Sequence, residues 1–233
     1  MIVRKPGTPA HHRFSQYYDS AKNELNLQDL NLSAADVPDI CLFLKDHPNI
    51  NNLNLKNNNI GDAGAILLAR ITTLKALNLR ANNIGADGAK ALADNSSLKW
   101  LNLRWNHIGD EGAIALSASA SLEWLNLRWN HIGDGGGIAL AANSSLRWLN
   151  LCENYLGINS AHAFARNTAL IALDLSNNNM KQAEMAIVNK LATTSADKKA
   201  LKERLRFFQS NPDCPANPAP ATIFTASVQL LKC

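Results

Sequence analysis

The chain has 233 residues, 46% of them apolar and 18% charged, with a formal net charge of +4. That is enough apolar chain to bury a core and too little positive charge for a nucleic-acid-packaging composition. No apolar run approaches the ~18 residues that a membrane-spanning helix needs.

The N-terminal stretch "MIVRKPGTPAHHRFSQYYDS" carries basic residues but no apolar centre, so it does not read as a secretory signal of the usual kind. Residues 1–24 read as an N-terminal cap, with Phe14, Tyr17 and Tyr18 placed to cover the first repeat of the chain. The cysteines Cys41, Cys152, Cys214 and Cys233 show no C-x-x-C spacing and read as reduced thiols of a chain made in a cytosol.

From Ile50 onward the pattern L-x-x-L-x-L-x-x-N-x-[IL] returns at Leu74, Leu98, Leu122, Leu146 and Leu170, 24 residues apart each time. A degenerate copy precedes it at Leu27, Leu30 and Leu32, with Ala35 in the asparagine position and a 23-residue step to Ile50. Residues 25–180 therefore read as about seven coils of one array.

The x-L-x-L-x centre of each coil alternates with period two, which predicts a short strand with its leucines inward. The second half is different. In "IGADGAKALADNSS" the residues Ala89, Leu92 and Ala93 recur at helical spacing and predict a return helix with a small-residue inner face. Asp62, Asp110 and Asp134 stand near the helix starts, where carboxylates accept free backbone N–H groups. Gly61, Gly85, Gly109 and Gly133 are expected to allow the turn. The fixed asparagines Asn58, Asn82, Asn106, Asn130, Asn154 and Asn178 are expected to turn inward, satisfy loop backbone groups and form a ladder.

After Met180, residues 181–210 predict two helices that form a helical C-terminal cap. Residues 211–233 begin with "NPDCPANPAPA", a Pro-rich tail that reads as extended or disordered. The final "TIFTASVQLLKC" leaves two readings open: docking back onto the helices, or membrane-proximal disorder.

These motifs resemble the leucine-rich-repeat family over about residues 25–180. "GAKALA" and "IGDEGAIAL" resemble its ribonuclease-inhibitor-like class, and within it the 24-residue GALA-type repeats of bacterial effectors secreted by type III or type IV systems. The resemblance implies an α/β fold: a right-handed solenoid or horseshoe with a concave parallel sheet and convex helices. It also implies protein–protein recognition without catalysis. The chain would then sit in the bacterial cytoplasm before translocation and in the host cell cytoplasm after it.

Strand alternation assigns the faces. With leucines inward, the third, fifth and seventh repeat positions point to the concave surface and the eighth lies at its rim. The third column reads Asn52, Ala76, Trp100, Trp124, Trp148, Ala172. The fifth is asparagine from Asn54 through Asn102, Asn126 and Asn150, ending in Asp174. The seventh reads Lys56, Arg80, Arg104, Arg128, Cys152, Ser176; the eighth includes Trp105, Trp129 and Glu153; the tenth includes His107, His131 and Tyr155. All five tryptophans thus fall in two columns of the middle coils, where the scaffold needs no aromatic residue. The expectation is two continuous exposed aromatic strips beside a basic row. Such a patch marks an interaction site, and Trp and Arg are the residues most enriched at interface hot spots.

The other features are weaker. The fifth-column asparagines fit either bonds to a partner backbone or mutual satisfaction of their own amides. His107 and His131 lack a third ligand and read as a solvated pair, so no metal or cofactor is expected. Cys152 stands beside Arg128, which would lower its pKa, but no pocket or oxyanion turn accompanies it. The expected function is a non-enzymatic module, monomeric by itself, that binds another protein. The partner would be a host protein or another effector, such as an enzyme whose active site it blocks. The alternative is single-stranded nucleic-acid binding by the same aromatic and basic surface.

Overall fold

The structure, a computed structural model, describes residues 10–180, with side chains from Arg13 onward. The helices and tail expected over 181–210 and 211–233 lie outside the described residues, as do residues 1–9.

The chain is an α/β solenoid with a single eight-stranded sheet in chain order. Strand β1 (Tyr18–Asp19) runs antiparallel to β2 (Glu24–Asn26). From β2 on all neighbours are parallel: β3 (Asn52–Asn54), β4 (Ala76–Asn78), β5 (Trp100–Asn102), β6 (Trp124–Asn126), β7 (Trp148–Asn150) and β8 (Ala172–Asp174). The return helices are α1 (Val37–Asp46), α2 (Gly61–Leu68), α3 (Ala86–Ala93), α4 (Gly109–Ser117), α5 (Asp134–Ala141) and α6 (Ile158–Phe164).

Between sheet and helices lies one continuous core. Leu53, Leu77, Leu101, Leu125 and Leu149 stack in strict register from strand to strand, and each is fully buried. The next inward row, Leu55 through Leu151, is buried as well. Each coil leaves one apolar face to its neighbour, so the core closes only by stacking. At the N-terminal edge, fully buried Phe14 meets Phe43 edge-on at 6.2 Å, and Tyr18 packs against Phe43 and His47. Arg13 is tied to this corner by Asp36 at 2.6 Å and Asp39 at 3.4 Å.

The first coil departs from the expected register. Leu25 pairs with Leu53, and Leu30 stands opposite Asn58, 28 residues away. The coil that seemed to start at Leu27 with a 23-residue step therefore starts earlier and is longer than the others. The misleading signal was the run Leu27, Leu30 and Leu32, whose spacing imitates the repeat while Leu30 fills the asparagine position.

Two asparagine ladders hold the loops. On the sheet side, Asn106 donates to the Leu79 and Leu103 carbonyls at 2.9 Å each and accepts from the N–H groups of Asn82 and Ile84. Asn154 repeats the pattern two coils on. This is the expected inward ladder. The second ladder, where helix returns to strand, has no counterpart in the expectations. Asn95, Asn143 and Asn167 each donate to two carbonyls of the preceding coil and accept two N–H groups just downstream. Its signal was present in "ADNSS", "AANSS" and "ARNT".

The helix-start aspartates behave differently from expectation. Each caps the next coil rather than its own. Asp62 accepts the N–H groups of Gly85 and Gly88, Asp110 those of Gly133 and Gly136, and Asp134 those of Gly157 and Ser160. Where the preceding coil offers Ala34 or Ala86 at that position, the turn changes. Gly61 and Gly109 then take φ near +60° and donate instead to the carbonyls of Asn82 and Asn130. Only these two of the four turn glycines need the left-handed region that glycine enters without a Cβ penalty; Gly85 and Gly133 are extended.

Candidate functional site

The concave face is built by the third, fifth and seventh columns, as alternation predicted, but its surfaces are not those expected. Trp100, Trp124 and Trp148 do point away from the leucine core, and they form a cluster of their own flanked by Ala76 and Ala172. Their rings stack at 4.3 Å centroid to centroid, with interplanar angles of 14° and 5°. They are only 7%, 2% and 9% exposed. The expected open aromatic strip is therefore a closed stack: strands ~4.8 Å apart bring identical flat rings to near-contact, and each hides its neighbour.

The rim tryptophans are the exposed ones. Trp105 and Trp129 are 50% and 45% exposed and meet edge-to-face at 6.5 Å. Both sit at φ +59°, a left-handed backbone that bulky residues rarely adopt. Asn57 and Asn177 occupy the same column in the outer coils with the same conformation, which asparagine tolerates well. The strand ends there because the preceding asparagine bends the chain. Asn102 accepts the N–H of Arg104 and Asn126 that of Arg128, at 3.0 Å each. Asn150 does the same for Cys152 at 2.9 Å.

Those bonds decide the role of the fifth column. Asn102, Asn126 and Asn150 are buried and spend their oxygens on their own turns. Asn150 also donates to Asp174 at 3.2 Å. They are framework, not a free polar ladder. In the tenth column His107 and His131 lie parallel at 5.7 Å, and Tyr155, 58% exposed, continues the row at 5.8 Å. Among the described residues no group of three or more His, Cys, Asp or Glu side chains is placed to hold a metal ion.

The basic row lies between the two tryptophan columns. Arg80 and Arg104 rest on Trp105, with guanidinium carbons 5.5 and 5.7 Å from the ring centroid. Arg128 faces Glu153 at 3.6 Å. Burial, then the like charges of Arg80 and Arg128, lower the Arg104 pKa to about 10. Several N–H donors of this face are buried without a partner among the described residues: Arg104 Nε, Arg128 Nε, Asn78 Nδ2, Asn126 Nδ2 and Trp100 Nε1.

Cys152 does not have the lowered pKa expected from its neighbour Arg128. Burial pushes the thiol up and outweighs both that arginine and the Ser176 hydroxyl 3.1 Å away. At 4% exposure it is a poor nucleophile.

No curated protein matches the chain in sequence. Solved structures similar to it include actin-binding site 2 of leiomodin-1, at 20% identity and a TM-score of 0.48, covering 64% of this chain and 96% of that one. Another is the crystal structure of a pollen receptor kinase 3, at 25% identity and a TM-score of 0.46, covering 68% and 74%. The family profile described as leucine rich repeat matches residues 48–108, 72–132 and 120–180. These matches overlap to span more than half of the chain, over the same strands, helices and asparagine ladder that build the concave face; the chain belongs to the leucine-rich-repeat family, whose domains are protein-interaction modules.

Proposed function

We propose that this chain is a non-enzymatic recognition module that grips another protein by the concave rim of its middle coils, with Trp105 and Trp129 as anchors. The observation that carries this reading is their combination of exposure and backbone cost. Two indoles stand about half in solvent on left-handed residues, in a column where the other coils hold Asn57, Ala81, Glu153 and Asn177 in the same conformation. The left-handed turn belongs to every coil of the scaffold, and a bulky indole fits it less readily than asparagine does. His107, His131 and Tyr155 extend the patch on one side, and Arg80, Arg104, Arg128 and Glu153 on the other. The stacked Trp100, Trp124 and Trp148 and the fifth-column asparagines serve as the stiff floor under it.

The 24-residue step and the "GAKALA" helix support a finer reading, the ribonuclease-inhibitor-like, GALA-type subtype. On that reading the chain is a bacterial effector, or a regulator of one, that works in a host cytoplasm. A curved face of this kind suits covering the active-site opening of a partner enzyme.

The test is affinity capture from host and bacterial lysates with the parent chain and with Trp105→Ala/Trp129→Ala, followed by titration of each captured protein. A protein held by the parent and weakened at least tenfold by the double substitution supports the reading. Equal affinity for both chains removes these tryptophans from the site.

A further inference from the structure

The arginine row carries more charge than its surroundings answer. Parallel strands ~4.8 Å apart set Arg80, Arg104 and Arg128 one per strand along ~10 Å. Arg128 has Glu153, whereas neither Arg80 nor Arg104 has an ion-pair partner among the described residues. Arg80 and Arg104 are each half-buried rather than enclosed, so their guanidinium groups stay within reach of a ligand. A carboxylate answers such a charge, and guanidinium holds it with two parallel hydrogen bonds.

We propose that Arg80 and Arg104, held against Trp105, form a carboxylate-binding site for an acidic segment of the partner protein. This rests on the protein-binding reading of the rim and names the chemistry that the same rim selects. Burial is the main cause of the depressed Arg104 pKa; the like charges of Arg80 and Arg128 add to it, and an arriving anion relieves that repulsion.

A phosphate backbone would satisfy the same charges, but two observations favour acidic protein. The row is short, giving way to Cys152 and Ser176, with Glu153 and Asp174 at that end. Part of the ring surface that nucleic-acid bases need is also taken. Trp124 is stacked on both sides by Trp100 and Trp148, and Trp105 carries the two arginines.

The experiment titrates the full chain with a peptide of about ten Asp and Glu residues, its Asn/Gln counterpart, and a thymidine oligonucleotide of about the same length. Tryptophan fluorescence serves as the readout, because Trp105 lies under both arginines. The acidic peptide should bind, more weakly as salt rises. Its affinity should fall at least tenfold in Arg80→Gln and in Arg104→Gln, and stay within about twofold in Arg166→Gln. Unliganded Arg104→Gln should melt no lower than the parent, which shows that the loss is not unfolding. Equal binding of the Asn/Gln peptide, tighter binding of the oligonucleotide, no binding at roughly 1 mM, or binding that survives either arginine substitution each overturns the proposal. A captured partner weakened by Trp105→Ala/Trp129→Ala but not by Arg104→Gln would sink this inference and leave the protein-binding reading standing. A partner indifferent to the tryptophans does the reverse when the acidic peptide still depends on both arginines.

Discussion

Asp110 caps a helix that is not its own: its Oδ1 accepts the N–H of Gly133 at 2.7 Å and of Gly136 at 3.0 Å, one coil further along. Coil-to-coil stability thus runs through side chains as well as through the sheet and the leucine stack. Removing that carboxylate in Asp110→Ala should cost about 1–2 kcal/mol, the range of a lost helix cap, as measured by denaturant unfolding.

A coil without such a cap supplies a sharper test. Gly109 sits at φ +59° with nothing within 4 Å of an added Cβ, so Gly109→Ala suffers from backbone conformation alone, by about 1 kcal/mol. Ala86 fills the column that holds Asp62 and Asp110 elsewhere. Ala86→Asp should switch the turn to the extended form seen at Gly133, and the Gly109→Ala penalty should fall in the double variant, where what remains is the close approach of the new Cβ to the carboxylate, 3.3 Å at Gly133. A double-mutant cycle measures it; strictly additive effects would contradict the switch.

The buried tryptophan stack and the exposed pair should separate cleanly. Trp124→Ala removes the middle ring of three and should destabilise the chain by about 3–5 kcal/mol. Trp105→Asn places a residue suited to left-handed backbone where Asn57 and Asn177 already stand, and should leave stability unchanged or raise it by about 0.5–1 kcal/mol. Thermal melting compares the two variants directly.

Acid should loosen the inter-coil caps. Burial alone would raise the Asp134 carboxyl, but hydrogen bonds from the Ser160 hydroxyl and from the Gly157 and Ser160 N–H groups outweigh it and hold the pKa below 3.8. Asp36 is likewise lowered, the Ser33 N–H and Arg13 outweighing burial. A carboxylate with a depressed folded-state pKa contributes stability that is full above its unfolded value and lost as pH falls through the folded one. The stability gap between the parent and Asp134→Ala should therefore be constant near neutrality and shrink below pH 3.8. A gap independent of pH would mean that the charge contributes nothing.

Much of this fold is written in the period. Leucines and asparagines repeating every 24 residues announce strand, turn and ladder, because each coil faces the same neighbours. Alternation also placed Trp100, Trp124 and Trp148 on the correct face. It could not show that they would bury one another, since that depends on ring rotation and on in-register stacking at 4.3 Å. Nor does a period-two pattern extend past the strand to position eight, where a left-handed residue turns Trp105 and Trp129 into solvent. The arginine row was legible as charge; that Arg128 meets Glu153 while Arg80 and Arg104 rest on Trp105 emerged only from the structure.

The central claim is that the rim of the middle coils meets a protein partner. Amide hydrogen exchange of the full chain, alone and saturated with a captured partner, tests it without any substitution. Protection should concentrate at residues 104–107, 128–131 and 152–155, where the exposed aromatic and basic side chains stand. Protection confined to helices α3–α6, with those turns unchanged, would contradict the account.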